Sequence, residues 1–376
     1  MIELTQRRAE KTRQMVLDHR PGYSLLDWGF FIGAYGNMAN TGFHLNAPNQ
    51  RGNYWLPLYQ RGEPQRGLPR LVSRERWEGG PKDATTALSM MARKFGADVV
   101  GFCKLDRRWV YSHYFDEETN QDFQIKFSDE AGYEGYQEPT QQEDGIQVIP
   151  KEMEYVVVML HEMDEEGIAT APTLTQFAST IETYSRISYT TVMLAEFIRG
   201  LGYNAIPSAN DTALNIPLAI DAGLGQLGRN AKLISPWFGP RCRVSKVITD
   251  LPVVTGKPVD YGVTQFCQAC QKCAKKCPPG AIPLGERSLE PMNECNNYGV
   301  LQWQLEHKKC YAYWSEVATN CGICIRTCPF NKPKHKIHDA TRWFIKNFSQ
   351  VNPLIVRLDD VMGYGKFKSS DSFWRV

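Results

Sequence analysis

Two short runs of cysteines in the C-terminal third of the chain have the regular spacing of metal ligands. The stretch "FCQACQKCAKKCPPGAIP" carries four cysteines at intervals of three, three and four, with proline after the last. The second run repeats the ending CxxCxxxCP, and an isolated cysteine precedes it by ten intervening residues. Two-residue spacers let one loop supply three thiolates to an iron–sulfur cube. The two runs comprise Cys267, Cys270, Cys273, Cys277, Cys310, Cys321, Cys324 and Cys328.

The assignment of these cysteines to two clusters follows from a general feature of two-cluster proteins, in which the last cysteine of each run ligates the other cluster. Cys310 is the least regular of these ligands because of its distance from Cys321. We predict a first [4Fe–4S] cluster on Cys267, Cys270, Cys273 and Cys328. We predict a second on Cys277, Cys310, Cys321 and Cys324.

Zinc and disulfides are the alternatives to iron–sulfur ligation. Zinc sites use pairs of CxxC motifs more often than CxxCxxCxxxCP. Disulfides fit poorly, because the eleven cysteines are odd in number and 376 residues exceed the length of a typical disulfide scaffold. Cys103, Cys242 and Cys295 are left over, and Cys103 is predicted to be a buried, small apolar side chain.

Composition bounds the remaining possibilities. The chain is 42% hydrophobic and carries a net charge of +2, with 43 Lys and Arg against 41 Asp and Glu. This balance gives no sign of a polyanion-binding surface, so we predict no nucleic-acid partner. No apolar run reaches the length of a membrane-spanning helix, and no apolar segment follows Arg7-Arg8 as a twin-arginine leader would require. The sequence as written predicts a cytoplasmic protein, or one on the outer face of the cytoplasmic membrane if a leader was removed.

Strand and helix patterns alternate before the cysteines. Strands are predicted at 97–105, 155–160, 204–208, 231–235 and 242–250, and helices at 83–95, from 172 to about 200, and at 213–222. Such alternation predicts an α/β core. The predicted units are a loop-rich segment 1–80, a core 81–255 with an exposed polar insertion near 117–147, a cysteine domain 256–335, and a tail 336–376 packing on the core.

The stretch from Tyr184 to Pro252, with "FIRGLGYNAIP" and "DAGLGQLGR" followed by both cysteine runs, resembles the corrinoid-dependent reductive dehalogenases and their relative epoxyqueuosine reductase. The resemblance covers about Lys151 to Pro333. It implies a nitroreductase-like α/β (α+β) corrinoid-binding core followed by a two-cluster ferredoxin domain. It also implies a base-off corrinoid without a protein histidine on cobalt, electrons passing through both clusters to that cobalt, and a role in organohalide respiration.

By the same resemblance, the catalytic residues are a proton donor Tyr184, its neighbour Asn210, and Arg243. A phenol holds its proton at neutral pH until a basic carbon centre forms, and a guanidinium stabilises the phenolate left behind. Taken alone, the three residues favour a core tyrosine, a helix cap and a surface cation, and only the resemblance favours the catalytic roles.

The cofactor and substrate contacts are predicted more broadly. Glycines in "GLGQLG" would let the backbone approach the macrocycle, although an ordinary turn between helix and strand would use them too. The predicted corrinoid contacts are Gly223, Gly225, Gly228, Ser208 and Ser185. An apolar, aromatic pocket suits a halocarbon, and its candidates are Phe31, Phe43, Trp55 and Trp314, with Phe30 and Tyr54 as further aromatics of the same kind.

Three functions are therefore weighed. The first is a reductive dehalogenase acting on a small halogenated organic substrate, with an external electron donor or membrane-anchor protein and a second copy of the chain in a homodimer. The second is epoxyqueuosine reductase acting on tRNA, which predicts an acidic catalytic residue and a basic surface. The third is an iron–sulfur electron-transfer subunit without chemistry of its own, which predicts no bound corrinoid.

Overall fold

The computed structural model describes residues 2–24, 26–28, 30–31, 34, 45–46, 54–56, 76–116 and 121–375. The predicted pocket residue Phe43 lies outside these residues. The strands are β1 (Val99–Lys104), β2 (His113–Asp116), β3 (Gln121–Phe127), β4 (Thr140–Gln141), β5 (Gln147–Ile149), β6 (Tyr155–Glu162), β7 (Ala205–Ser208), β8 (Gln226–Leu227), β9 (Leu233–Ile234) and β10 (Cys242–Thr249).

The helices before the cysteine runs are α1 (Ile2–Leu17), α2 (Pro81–Lys94), α3 (Glu165–Ala169), α4 (Leu174–Gly200) and α5 (Asn215–Asp221). Those of the cysteine region and the tail are α6 (Val263–Cys270), α7 (Lys272–Lys275), α8 (His307–Val317), α9 (Ile323–Arg326), α10 (Lys336–Asn347), α11 (Asn352–Val361) and α12 (Ser370–Trp374). Single 3₁₀ turns occur at Arg107–Trp109 and Ser349–Val351.

A four-stranded sheet in the order β1-β6-β10-β7 forms the centre of the core, and each neighbouring pair is antiparallel. Successive side chains of β6 alternate between two apolar clusters, because a strand turns neighbouring residues to opposite faces. Val157 and Met159 pack with α2 and α4, whereas Val156 and Val158 pack on the side of α5. The core is therefore a mixed α/β layer structure, as predicted.

The long helix α4 begins where the sequence predicts it. Thr173 is its N-cap, and its hydroxyl accepts a hydrogen bond from the backbone N–H of Gln176, which satisfies one of the unpaired donors of the first turn. The helix ends at "RGLGY", where Gly202 has a φ of 83°. Tyr184 lies on this 27-residue helix and is part of the site described below.

The described part of the predicted insertion near 117–147 contains a small sheet with one buried face, while much of the stretch is exposed. Strands β2, β3, β5 and β4 form a second sheet in that order, with β3 and β5 parallel. Phe123, Ile125 and Phe127 alternate along β3 and are buried. The many charged residues of this stretch hid the alternation, which is the stronger signal.

The C-terminal tail packs mainly against the cysteine region, where we had predicted packing on the core. Ile345 of α10 lies in one apolar cluster with Phe266 and Cys267. The buried Asp359 of α11 pairs with Lys272 and Lys332, which lie next to the two cysteine runs. Within the described ranges, no helix is both long and apolar enough to cross a lipid bilayer.

Candidate functional site

The first predicted set of cysteines surrounds one small enclosed cavity. Cys267 and Cys270 lie on α6, Cys273 lies on α7, and Cys328 follows α9. Gln271, between the two short helices, has a φ of 56°. This left-handed residue reverses the chain, so that α6 and α7 turn their cysteines to the same side.

The second set lines a separate cavity of about 170 Å³. The isolated Cys310 comes from α8, and Cys321 and Gly322 enter α9 with positive φ values of 61° and 74°. A side chain at Gly322 would come within 2.7 Å of the Gln176 amide, so glycine is needed at this close contact. All four predicted ligands of the second cluster line this cavity: Cys277, Cys310, Cys321 and Cys324.

The chemistry of both sets suits clusters better than a single ion. Among the described residues, no three His, Cys, Asp or Glu side chains are close enough together to hold one metal ion, whereas a cube separates its thiolates more widely. Burial raises the pKa of Cys324 to about 11 and that of Cys321 to about 12. These thiols therefore remain protonated near neutral pH unless a cluster displaces their protons.

Tyr184, Asn210 and Arg243 converge on one cavity, which measures about 400 Å³. Tyr184 comes from α4, Asn210 from the loop between β7 and α5, and Arg243 from β10. Tyr184 and Arg243 also line the cavity of the second cysteine set. The two cavities therefore share a wall that contains two of the three predicted catalytic residues, together with Lys232 and Leu305.

Contacts among the three residues fit the predicted roles. The Asn210 amide Nδ2 donates a hydrogen bond of 3.2 Å to the Tyr184 hydroxyl. The Arg243 guanidinium carbon lies 5.5 Å from the centre of the Tyr184 ring. Arg243 Nε is buried without a hydrogen-bond partner in the described part of the chain. A buried donor of this kind is stabilised by an anion or acceptor that forms or binds in the cavity.

Lys246 is a residue of this site that sequence reasoning missed. It is fully buried on β10, and its Nζ donates to the Ala209 and Asp211 carbonyls at 3.0 Å and to Asn215 Oδ1 at 2.8 Å. Burial lowers the pKa of Lys246 to about 7, and Asp211 opposes the fall. The side chain thereby holds both ends of the loop that presents Asn210.

The cavity lining suits a corrinoid in two ways. Much of the wall is aliphatic and would cover the apolar face of the corrin macrocycle. Carboxamide side chains would hydrogen-bond with the amide side chains at the edge of the macrocycle. The aliphatic part includes Leu214, Ile216, Ile220, Leu227 and Val244. The carboxamides are Asn215, Asn296, Asn297 and Gln302. Lys232 and His307 also line this cavity, and neither was predicted.

The three predicted glycines make close contacts within the protein, and their role as corrinoid contacts stays a prediction. A Cβ on Gly225 would come within 2.6 Å of the Ile234 carbonyl oxygen, and one on Gly228 within 2.6 Å of the Ile234 side chain. Gly223 has a φ of 74° and faces the Lys257 carbonyl. None of the three is among the described residues that line the 400 Å³ cavity. These glycines permit close packing of the loop against β9 and the linker.

We predict that Gly225→Ala destabilises the protein by about 1–3 kcal/mol, the cost of adding a methyl group to a packed interior. The measurement is the thermal unfolding midpoint of anaerobically prepared protein. Gly200→Ala is the matched control, because nothing lies within 4 Å of its added Cβ, and it should leave the midpoint unchanged or raise it. Equal midpoints for Gly225→Ala and wild type would contradict the packing explanation.

The two predicted serine contacts are engaged within the protein. The Ser208 hydroxyl is fully buried and donates to the Asp211 carbonyl at 2.6 Å. The Ser185 hydroxyl donates to the Ala34 carbonyl at 2.6 Å. Neither is among the described residues that line the cavity, so their role as corrinoid contacts stays a prediction.

The predicted pocket aromatics are distributed over several places. Trp314, on α8, lines the cavity of the second cysteine set together with Tyr184 and Arg243. Phe31 packs with Phe177 at a ring distance of 5.1 Å, in an apolar cluster that Tyr184 also contacts. Trp55 is fully buried in the main core. Of these residues, Trp314 is the one that shares a cavity with both Tyr184 and Arg243 among the described residues.

Comparison with known proteins agrees with this geometry. A family model for a reductive dehalogenase subunit matches residues 9–253, and a 4Fe–4S double cluster binding domain matches residues 266–331. The second match confirms the prediction of two [4Fe–4S] clusters. The tetrachloroethene reductive dehalogenase of Sulfurospirillum multivorans is 38% identical over 78% of this chain, and that of Desulfitobacterium hafniense is 32% identical over 71%.

The matches with these two relatives cover 59% and 52% of their lengths, so the chain spans little more than half of each. An epoxyqueuosine reductase of Lactococcus garvieae is 32% identical over 124 residues, which is 32% of either chain.

Solved structures show the same fold. The catabolic reductive dehalogenase NpRdhA, in complex with 3-bromo-4-hydroxybenzoic acid, superposes with a TM-score of 0.62 at 23% identity, over 78% of this chain and 39% of that one. A structure described as suggesting a mechanism for B12-dependent dehalogenation gives a TM-score of 0.61 at 24% identity, over 78% and 40%. Because the family model spans most of the residues before the cysteine domain, this chain belongs to the reductive dehalogenase family.

Proposed function

We propose that this chain is a corrinoid-dependent reductive dehalogenase that removes halide from a small organohalide. The observation that carries the proposal is the shared wall: Tyr184 and Arg243 border both the 400 Å³ cavity and the cavity of the second cysteine set. Electrons and a proton would therefore reach the same point. When bound, the corrinoid supplies a low-valent cobalt that can reduce a carbon–halogen bond.

The protein's own part in the reaction is to hold and release a proton. The Tyr184 hydroxyl holds the proton, and Asn210 orients the hydroxyl by donating to its oxygen. Once the proton has moved to carbon, the phenolate is stabilised by the same Asn210 hydrogen bond and by the Arg243 charge 5.5 Å from the ring. Asn210 contributes this without a charge, whereas Arg243 supplies a balancing cation, and Lys232 is a second cation that lines both cavities.

The positions of the two cysteine sets support an order of electron transfer. The second cysteine set adjoins the catalytic residues, whereas the first set is separated from them by Asn230, which lines both cysteine cavities. The Asn230 amide donates to the Cys324 carbonyl at 3.4 Å. We propose that electrons enter at the first set, leave from the second, and come from an external electron donor or membrane-anchor protein.

The epoxyqueuosine alternative predicts an acidic catalytic residue. No Asp or Glu is among the described residues that line the 400 Å³ cavity, and the net charge of +2 gives little attraction for tRNA. The electron-transfer alternative predicts no corrinoid, and it leaves a cavity with three convergent polar residues unexplained. Dehalogenation is thus the function the site supports best.

The test is halide release by anaerobically purified protein, prepared with and without added corrinoid and reduced by a low-potential viologen. The substrates should include tetrachloroethene and 3-bromo-4-hydroxybenzoic acid, which are named for relatives, and other chlorinated and brominated compounds. We expect halide only from the corrinoid-loaded protein. Corrinoid-loaded protein with reduced clusters that releases no halide from any compound would contradict the proposal.

A further inference from the structure

Arg229 is a buried cation beside the first cysteine set. It closes the sequence "GLGQLGR", its side chain is 1% exposed, and it lines the cavity enclosed by Cys267, Cys270, Cys273 and Cys328. A charged side chain is rarely buried to this extent unless it is paired. Its surroundings therefore indicate what neutralises it.

The described contacts of Arg229 are all to neutral groups. Its Nε donates to the Cys267 carbonyl at 3.1 Å, and one Nη donates to the Pro283 and Gly285 carbonyls at 2.7 and 2.9 Å. Its guanidinium carbon lies 4.5 Å from the centre of the buried Trp303 ring. Within the described residues, no carboxylate forms an ion pair with it. The hydrogen bonds fix the guanidinium in place without cancelling its charge.

The anion that such a cation requires is the cluster itself. A cube held by four thiolates carries net negative charge, and reduction adds one more unit. A fixed positive charge therefore stabilises the reduced state more than the oxidised state, and net charge is one of the factors that set cluster potentials. Burial strengthens the effect, because few water molecules screen the charge.

Arg229 acts unequally on the two clusters. It lines the first cavity and is not among the described residues that line the second, whose own cations are Lys232 and Arg243. We infer that Arg229 is the residue that raises the reduction potential of the first cluster above the value its four cysteines alone would give. The first cluster then accepts electrons from the external donor more readily.

The inference depends on the two clusters and not on dehalogenation, so failure of either can be recognised separately. The test is an anaerobic potentiometric titration of both clusters, followed by electron paramagnetic resonance. For Arg229→Gln we expect at least a tenfold weaker reduction of one cluster, about 59 mV for a one-electron couple, and no change in the other. Arg229→Lys keeps the charge and should restore most of the wild-type potential.

Arg287→Gln is the matched control. The Arg287 guanidinium carbon lies 5.7 Å from the same Trp303 ring, but Arg287 is not among the described residues that line the first cavity, so both potentials should stay unchanged. If Arg229→Gln loses iron, loss of about half the iron with full retention in Arg229→Lys also supports the inference. Unchanged potentials in an iron-replete Arg229→Gln, or equal effects of Gln and Lys, would overturn it.

Discussion

Tyr184→Phe should lose dehalogenation by about 10²- to 10⁴-fold, the usual contribution of a positioned general acid. The substitution removes one hydroxyl and keeps the ring, so packing around α4 should persist. The Asn210 amide loses the oxygen to which it donates at 3.2 Å, and the Arg243 charge has no phenolate to stabilise. Iron and cobalt contents should remain those of the wild type. The measurement is the initial rate of halide release under reducing conditions.

Tyr189→Phe is the control for this variant. Tyr189 lies on the same helix five residues further on and is 45% exposed, so its hydroxyl can be removed without touching the cavity. We expect its rate to match wild type. A Tyr184→Phe protein that retains full activity would show that the proton comes from another donor.

Cys328→Ser should remove the first cluster and leave the second. Cys328 is the last cysteine of the second run in sequence, but it is buried and lines the cavity of Cys267, Cys270 and Cys273. Burial raises its pKa far above the ordinary value, and a serine hydroxyl is a much poorer iron ligand. The variant should lose about half of its iron and nearly all of its halide release, because electrons no longer enter.

Cys277→Ser is the reciprocal variant, which should remove the second cluster and keep the first. Cys103→Ala is the control, because Cys103 is buried on β1 away from both cavities, as its apolar setting predicts. Resonance spectra with and without each ligand identify which signal belongs to which set. If Cys328→Ser and Cys321→Ser remove the same signal, the prediction that Cys328 ligates the first cluster is wrong.

The assignment of cysteine ligands to the two clusters could be predicted because it depends on the spacing of the cysteines, which is read directly from the sequence. The Tyr184, Asn210 and Arg243 set could be predicted only through the family motif. The three residues come from a helix, a loop and a strand, and nothing in their spacing brings them together. The structure adds the shared wall, which no linear pattern indicates.

Other features were beyond the sequence for physical reasons. Lys246 lies on β10, where a lysine ordinarily indicates a solvent-facing residue. Its burial depends on three acceptors supplied by residues 209–215. The glycines of "GLGQLG" indicate that another group comes close to this backbone. The sequence does not show whether that group is a ligand or another part of the chain, such as Ile234.

Lys232 and His307 line the cavity from distant parts of the chain. His307 lies between Glu306 and Lys308, and Lys232 is a single lysine in the predicted strand AKLIS, so neither stands out as a cavity residue. Trp55 is a residue that was predicted to line the pocket and is fully buried in the core. From the sequence, an aromatic residue in a loop-rich segment fits either place.

The most direct test of the central claim is elemental analysis of the anaerobically prepared chain after corrinoid has been supplied. The account predicts about eight iron atoms per chain, from two cubes of four, together with about one cobalt and no stoichiometric zinc. Iron without cobalt would contradict the binding of a corrinoid in the 400 Å³ cavity and would favour the electron-transfer alternative. Zinc in place of iron would contradict the assignment of both cysteine sets, and with it the proposed supply of electrons to the wall formed by Tyr184 and Arg243.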